Sequence, residues 1–600
     1  MNPLQLSSAD NRPARVRAAP ARFDQEQAAQ YEFAAAASLL SGFRRGDASF
    51  SDDESSADDD SSSSEDEEVE EKQVSLLEQE KRLWSEQWNE VHFRGFRAAS
   101  PRVPVALDCN TPLDFFHLIL PRSFLASIVQ WTNTYTAARE EEEKENQQPQ
   151  ASAAAASSAE ESSWQETTME ELLALLGCLV YMGIVCMDDT KDYWDKLGRQ
   201  AFVADTFPRR RFLELSRMLR FSKEAETEEE KKDPLHFLRP LIAEITTNSL
   251  LYFTGGKWVS IDEAMVAFKG RSKMRQHIAK KRSPTGFKVW MLIDCDTNYV
   301  LFFDIYPGKG MEKEEHASAN VVLNLVSKGL KGKWHRIAMD GFFTSYYLLT
   351  KLLEKEQYAV GTTRHNRKQF PKRTLLPEAQ GIERGEWKFR QSTETPEIAV
   401  VSWMDKKPVN LISSCCNPLK ETHIPRHKGR ETFDVKCPEV VPLYTKYLRG
   451  VDVFSQRQSY NKIGRKARKF FYSLAWFLID IAIHNAYILY QKKHNKHNFD
   501  EKDFRRELMQ QLVNGFTCRQ KAGAPHRRPR RGGFHRVGHG DASLTCHGCR
   551  RFVGEGKNNK KSRWSCEDCG VHLCMPDCYN KHIQSLSVEQ EADSEEEQEE

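Results

Sequence analysis

Asp262 stands inside the run KWVSIDEAMVAFKGR at residues 257–271. Around it Trp258, Val259, Ile261, Met265, Val266 and Phe268 are the residue types of a buried strand. A carboxylate buried there without a partner would cost several kcal/mol, on the order of a domain's whole stability margin. Asp340 closes a second strand-like run, HRIAMDGFF (335–343), and Asp452 lies in RGVDVFSQ (449–456), ahead of a long apolar helix. Three carboxylates brought together from such elements bind hard divalent ions through oxygen. Two ions about 4 Å apart activate a water or a 3′-hydroxyl and stabilise the leaving oxygen of a phosphodiester. The expected cofactor is Mg²⁺ or Mn²⁺, two ions, held by Asp262, Asp340 and Asp452. Singly, each aspartate also reads as a turn or cap residue; the signal is their joint placement. Alternation puts Glu263 on the face opposite Asp262, and Glu263 and Asp304 are set aside. Asp294 and Asp296 read as turn residues closing a hairpin.

The elements that must position these groups follow from periodicity. Residues 1–90 form an acidic, serine-rich region expected to be disordered, with a helical stretch near 75–88. Helical periods fill 91–255, broken by a polar flexible insert at 140–165. Strand periods then take over at 257–268, 286–296 and 299–308. A helix (317–329), a strand (335–343), a helix (345–356) and a strand (358–364) follow. Three meandering strands followed by alternating helices and strands predict a multidomain α/β protein with a mixed sheet, in the order of the RNase H-like nuclease fold. Its first part spans 256–371, a strand-rich insertion 372–440, and its final helical part 441–500. A basic linker (501–540), a small Cys/His-rich module (541–585) and an acidic tail (586–600) complete the chain.

Charge is segregated. Residues 52–71 carry twelve acidic and no basic residues, and 589–600 carry eight acidic and no basic ones. With both stretches set aside, the formal net charge of +1 becomes +21 on the rest, which predicts a polyanionic partner, most simply double-stranded DNA. The loop FKGRSKMRQHIAKKR (268–282) brings Lys269, Arg271, Lys273, Arg275, Lys280, Lys281 and Arg282 directly after the first aspartate strand. Phosphate contacts from such a loop would hold a duplex over the site and make binding salt-dependent. GRKARK (464–469), with Arg465 and Lys466, and HRRPRRGGFHR (526–536), with Arg527 and Arg528, extend the basic set; RHNRK (364–368) adds charge near Asp340. The serines at 49–64 lie beside carboxylates and read either as acidophilic kinase substrates or as a plain solvated tail.

Six of the fourteen cysteines fall between 546 and 578. Cys546-x2-Cys549 and Cys566-x2-Cys569, then Cys574, Cys578 and His582, are paired soft ligands at zinc spacing. Seven ligands exceed one tetrahedral site, so two Zn²⁺ are expected, with His572, His539 or His547 available as the eighth. The module, preceded by a basic run that would track phosphates, reads either as a DNA-binding or as a protein-binding finger, since ligand spacing does not separate the two. No apolar amino-terminal segment predicts secretion. The apolar run 470–490 is interrupted by Asp480, His484 and Asn485, which predicts a buried helix and no membrane span. A nuclear location fits the basic clusters.

SIDEAMVAFKGRSKMRQHIAKKRSPTGFKVW (260–290), AMDGFFTSYYLLTKL (338–352), AVGTTRHNRKQFP (359–371) and LRGVDVFSQ (448–456) resemble the transposases of the piggyBac type. So do GCLVYMGIVCMDDTKDYWDK (177–196) and RRFLELSRMLRF (210–221), and the likeness extends over roughly 110–580. The resemblance implies that Asp262, Asp340 and Asp452 are catalytic and that the reaction is cut-and-paste DNA transposition. Water nicks the element end, the freed 3′-hydroxyl forms a hairpin on the opposite strand, and the reopened ends join a TTAA target. It further implies that 91–255 is a helical dimerisation and DNA-binding region, that a homodimer pairs two transposon ends, and that the zinc module reads them. Cys546 and Cys549 would pair with Cys574 and Cys578, and Cys566 and Cys569 with His582. Ser455 departs from the family, which commonly carries another aspartate three residues after the third. A domesticated descendant that binds DNA or chromatin without cutting it is the alternative.

Overall fold

A ten-stranded mixed sheet carries the fold. The computed structural model describes residues 64–99, 108–145, 164–279, 281, 283–308, 316–464, 469–496, 498–518, 537–546, 561–566, 571–574, 578 and 580–581. They divide into two units, Met1–Phe516 and Thr517–Glu600. In the first, the strands are β1 (Trp84–Ser85), β2 (Arg97–Ala98), β3 (Trp258–Ala267), β4 (Gln276–His277), β5 (Thr285–Asp294), β6 (Val300–Ile305) and β7 (Gly332–Lys333). They continue as β8 (Arg336–Met339), β9 (Tyr358–Thr362), β10 (Trp387–Ser392), β11 (Ala399–Met404), β12 (Pro408–Ser413), β13 (Glu421–Lys428) and β14 (Glu431–Pro438). The large sheet runs β1-β10-β11-β12-β9-β8-β3-β5-β4, with β6 also on β5. β3, β8 and β9 are parallel neighbours and the other pairs in it antiparallel. β13 and β14 form a separate hairpin, and β2 pairs with β7.

Asp294 closes the β5–β6 turn as expected: its oxygens accept from Gly256 N at 2.7 Å and from Thr297 N and Oγ1 at 3.0 and 2.7 Å. The helices that matter to the site are α1 (Ser64–Leu83), α2 (Met169–Ile184), α3 (Gly450–Asn461), α4 (Phe470–His494) and α5 (Glu501–Val513). α4 has the length and hydropathy of a membrane span, yet 94% of its apolar window is buried inside the fold. The polar residues that interrupt it have partners. Asn485 Nδ2 donates to Val300 O at 2.9 Å, and its Oδ1 accepts from Val300 N at 2.9 Å, which satisfies the β6 backbone. Asp480 accepts from Arg505 Nη1 at 2.9 Å, and His484 Nδ1 lies 2.9 Å from Glu501 Oε2.

Two expectations change. In the region 1–90 the helical stretch expected near 75–88 begins earlier, as α1 at Ser64, and leads into β1. It docks: Glu80 Oε2 accepts from Arg373 N and Thr374 N, and Trp84, buried, donates Nε1 to Gln369 O at 3.1 Å. Composition misses this because the anchor lies nearly three hundred residues away in the chain. Within the strand-rich section 372–440, β10, β11 and β12 extend the sheet beyond β9. Trp403, Val401 and Leu411 from those strands share a core with Trp258 and Val360. Residues 501–516 are not linker. Phe504, Leu508 and Leu512 recur every fourth residue, so α5 buries one face. It lies against α2 so closely that a Cβ on Gly177 would meet Val513 Cγ2 at 2.7 Å.

Candidate functional site

Two of the three aspartates leave neighbouring parallel strands at the same level. Ile261 of β3 pairs with Met339 of β8, and Asp262 and Asp340 are the next residue along each chain. The third arrives on α3, which packs on β3 and β5. Its first residue, Gly450, lies on Ser260: a Cβ there would meet the serine Oγ at 2.3 Å. Ser260 and Asp262 share one face of β3 by alternation, so the first turn of α3, which holds Asp452, lies over the face that bears Asp262.

The electrostatics agree. Asp262 is 8% exposed. Burial drives its carboxyl well above the usual carboxylate range; Lys281 opposes this, and the charges of Glu263, Asp340 and Asp452 raise it further. Asp340 is raised by burial and by Glu263, against a hydrogen bond from Phe342 N at 3.1 Å and the charges of Lys281 and Lys288. Burial disfavours the Lys281 ammonium, but Asp262, Glu263 and Asp452 outweigh it and hold its pKa above the usual lysine range. Carboxylates that feel one another's charge, two of which already draw in one ammonium, are of the type that suits a hard divalent cation, although the three aspartates do not gather as tightly as the cysteines of the second unit do.

Glu263 belongs to this site, against the expectation from alternation. Lys281 Nζ lies 3.5 Å from Asp262 Oδ2 and 3.1 Å from Glu263 Oε1. Alternation does separate the two side chains: Glu263 faces Trp290 across β5 and lies near Lys288, 3.9 Å away. The lysine reaches both because β8 ends at Met339, which leaves β3 without a partner on that side from Asp262 onward. Lys288 was also missed, although it sits two residues from Trp290 on that same face; its Nζ is 4.4 Å from the centre of the Phe342 ring. Arg367, from the basic run 364–368, donates to Gly341 O and Phe342 O beside Asp340.

Of the seven cations in the loop after β3, Lys269, Arg271 and Lys273 are exposed. Arg275, also exposed, turns its guanidinium back on the loop and donates to Lys269 O and Gly270 O at 3.3 and 2.9 Å. Lys281 is engaged with the carboxylates. Lys280, Arg282, Arg465, Lys466, Arg527 and Arg528 lie outside the described residues.

The second unit contains three antiparallel strands, β15 (Val537–Thr545), β16 (Lys561–Cys566) and β17 (Val571–His572). Cys546, Cys574 and Cys578 hold their sulfurs within 4.8 Å of one another. Cys574 N donates to Cys546 Sγ at 3.0 Å. The described cysteines, Cys566 among them, form no disulfide. The fit is to a soft metal such as zinc. His572 has Nδ1 3.1 Å from Ser562 O. Cys549, Cys569, His547 and His582 lie outside the described residues.

Among known families, residues 111–487 match the one described as Transposase IS4. The human PiggyBac transposable element-derived protein 3 is 24% identical over 413 residues, which cover 67% of this chain and 64% of that protein. The human PiggyBac transposable element-derived protein 2 is 24% identical over 431 residues, covering 68% and 67%. The chain thus spans about two thirds of the length of these relatives. A cryo-EM structure of a piggyBac transposase synaptic complex with hairpin DNA has a similar fold: TM-score 0.61 at 21% identity, covering 80% of this chain and 97% of that one. With more than half its length matched, the chain belongs to the piggyBac-type Transposase IS4 family.

Proposed function

We propose that this protein is a metal-dependent DNA transposase that cuts element ends, forms hairpins on them and joins them at TTAA. The observation that supports this reading is that Asp262 and Asp340 follow paired residues on the parallel strands β3 and β8, while Asp452 lies on α3, the helix that packs on β3. Asp262, Asp340 and Asp452 would hold Mg²⁺ or Mn²⁺, which when bound activates an attacking oxygen and stabilises the leaving one. The chain's own part is positioning. Parallel pairing of β3 with β8 sets Asp262 beside Asp340, and the close approach of Gly450 to Ser260 sets the first turn of α3 over them. The exposed Lys269, Arg271 and Lys273 lie on the loop that leaves this strand, where they would meet phosphates. The sheet order is consistent with an RNase H-like core. Cys546, Cys574 and Cys578 would hold zinc in a module that reads element ends. A homodimer in the nucleus would pair the two ends.

The second reading, a descendant that binds DNA or chromatin without cutting, is favoured by Ser455, which stands on α3 where the family commonly carries a further aspartate. One experiment separates the two. The protein is incubated with Mg²⁺ and a duplex bearing its terminal repeat beside TTAA, in parallel with Asp340→Asn. Hairpin-ended products from the wild type alone support transposition. A duplex that both proteins bind and neither cuts selects the second reading.

A further inference from the structure

Past the end of β8, both backbone groups of Glu263 on β3 are satisfied by side chains. Glu263 N donates to Asp262 Oδ1 at 2.8 Å, and Glu263 O accepts from Lys281 Nζ at 3.1 Å. Edge groups left by a strand that stops short need such partners. The same ammonium lies 3.1 Å from Glu263 Oε1 and 3.5 Å from Asp262 Oδ2. Lys281 is thus anchored twice on Glu263 and reaches from there to Asp262. Its backbone is also fixed: Lys281 N donates to Ile278 O at 3.1 Å, and Ile278 N to Pro284 O at 2.7 Å. Only the four-carbon stem is free to swing.

We propose that Lys281 is a built-in competitor for the divalent ion at Asp262: when the ion binds, the ammonium withdraws from Asp262 and stays on Glu263. This rests on the three-aspartate reading above. An ammonium and a divalent cation within a few ångströms of one carboxylate repel each other strongly at the effective dielectric of a protein. The lysine therefore weakens the site's affinity for the ion and prevents the carboxylates from standing uncompensated before it arrives. Glu263 supplies the resting place, and Lys288 lies 3.9 Å from its other oxygen. A lysine that served only as a phosphate contact would leave ion binding in the absence of DNA unchanged.

The test is a Mn²⁺ titration of the full chain without DNA, followed by electron paramagnetic resonance, for wild type, Lys281→Gln, Lys281→Arg, Lys269→Gln and Asp340→Asn. The expected result is that Lys281→Gln binds Mn²⁺ at least about tenfold more tightly than wild type, from the loss of one nearby like charge. Lys281→Arg and Lys269→Gln should match wild type. Unchanged or weaker binding by Lys281→Gln, with binding still lost in Asp340→Asn, overturns the competition alone. Mn²⁺ binding that Asp340→Asn does not alter overturns the aspartate site and the competition with it. A second measurement needs no variant. Amine labelling of Lys281, read by mass spectrometry against Lys269, should rise several-fold when Mn²⁺ is added to wild type, and equal labelling with and without Mn²⁺ overturns the withdrawal.

Discussion

Gly450 and Ser260 come so close that any side chain at 450 would collide with the serine hydroxyl: a Cβ on Gly450 would lie 2.3 Å from Oγ. This approach lets α3 rest on β3 and carries the turn holding Asp452 to the face of Asp262. Gly450→Ala should cost about 1–3 kcal/mol, as overpacking in cores does, and should reduce DNA cleavage more than it reduces folding. Ser260→Ala removes the clashing atom, so Gly450→Ala/Ser260→Ala should regain most of both. Thermal melting and the hairpin assay on the four proteins check this; a double variant no better than Gly450→Ala would contradict it.

Clustered like charges make the site a source of instability. Asp340→Asn removes one charge from a group raised by burial and by Glu263, and its Oδ1 can still accept from Phe342 N. It should melt higher than wild type in metal-free buffer and lose the stabilisation that Mg²⁺ gives. Cleavage should fall by more than about 100-fold, since even outer-shell partners of a metal are worth 10–100-fold. Calorimetry with and without Mg²⁺, beside the cleavage assay, reads all three.

Acid should unlock α4 from α5. Burial raises Glu501, but His484 and Arg505 outweigh it and hold its carboxyl well below the ordinary 4.5. A depressed carboxylate contributes stability that is fully present above its unfolded value and is lost as pH falls toward the folded one. The contribution of Glu501 is therefore present above about pH 4.5 and declines below it. Glu501→Gln should be less stable than wild type at pH 7, with the difference shrinking as pH falls below 4.5. Urea midpoints measured across that range check the sign.

The second unit should depend on its metal while the first does not. Stripping zinc with a strong chelator, or Cys574→Ser, should remove bound metal and the ordered signal of that unit, because such small modules fold around their ion. The main melting transition, which belongs to Met1–Phe516, should stay in place. Metal analysis and calorimetry of the full chain measure both. Loss of the main transition on chelation would contradict it.

Much of the site was legible in the sequence, because local period reports the strand or helix that carries a residue. The alternation around Asp262, the strand that ends at Asp340 and the helical period after Asp452 each come from neighbours within a few positions, and β3, β8 and α3 formed there. The polar residues inside the apolar run at 470–490 announced a buried helix, and in it Asp480, His484 and Asn485 have partners. Other features depend on where one element stops beside another, which no local pattern records. β8 ends at Met339 and opens one side of β3, so Lys281 joins Asp262 to Glu263 across the separation that alternation imposes on their side chains. α1 begins inside an acidic tract because Glu80 and Trp84 find partners beyond residue 368. The chain's composition and local order thus settled which groups carry the charge; the long-range packing of strand ends and helix faces decided which of those charges meet.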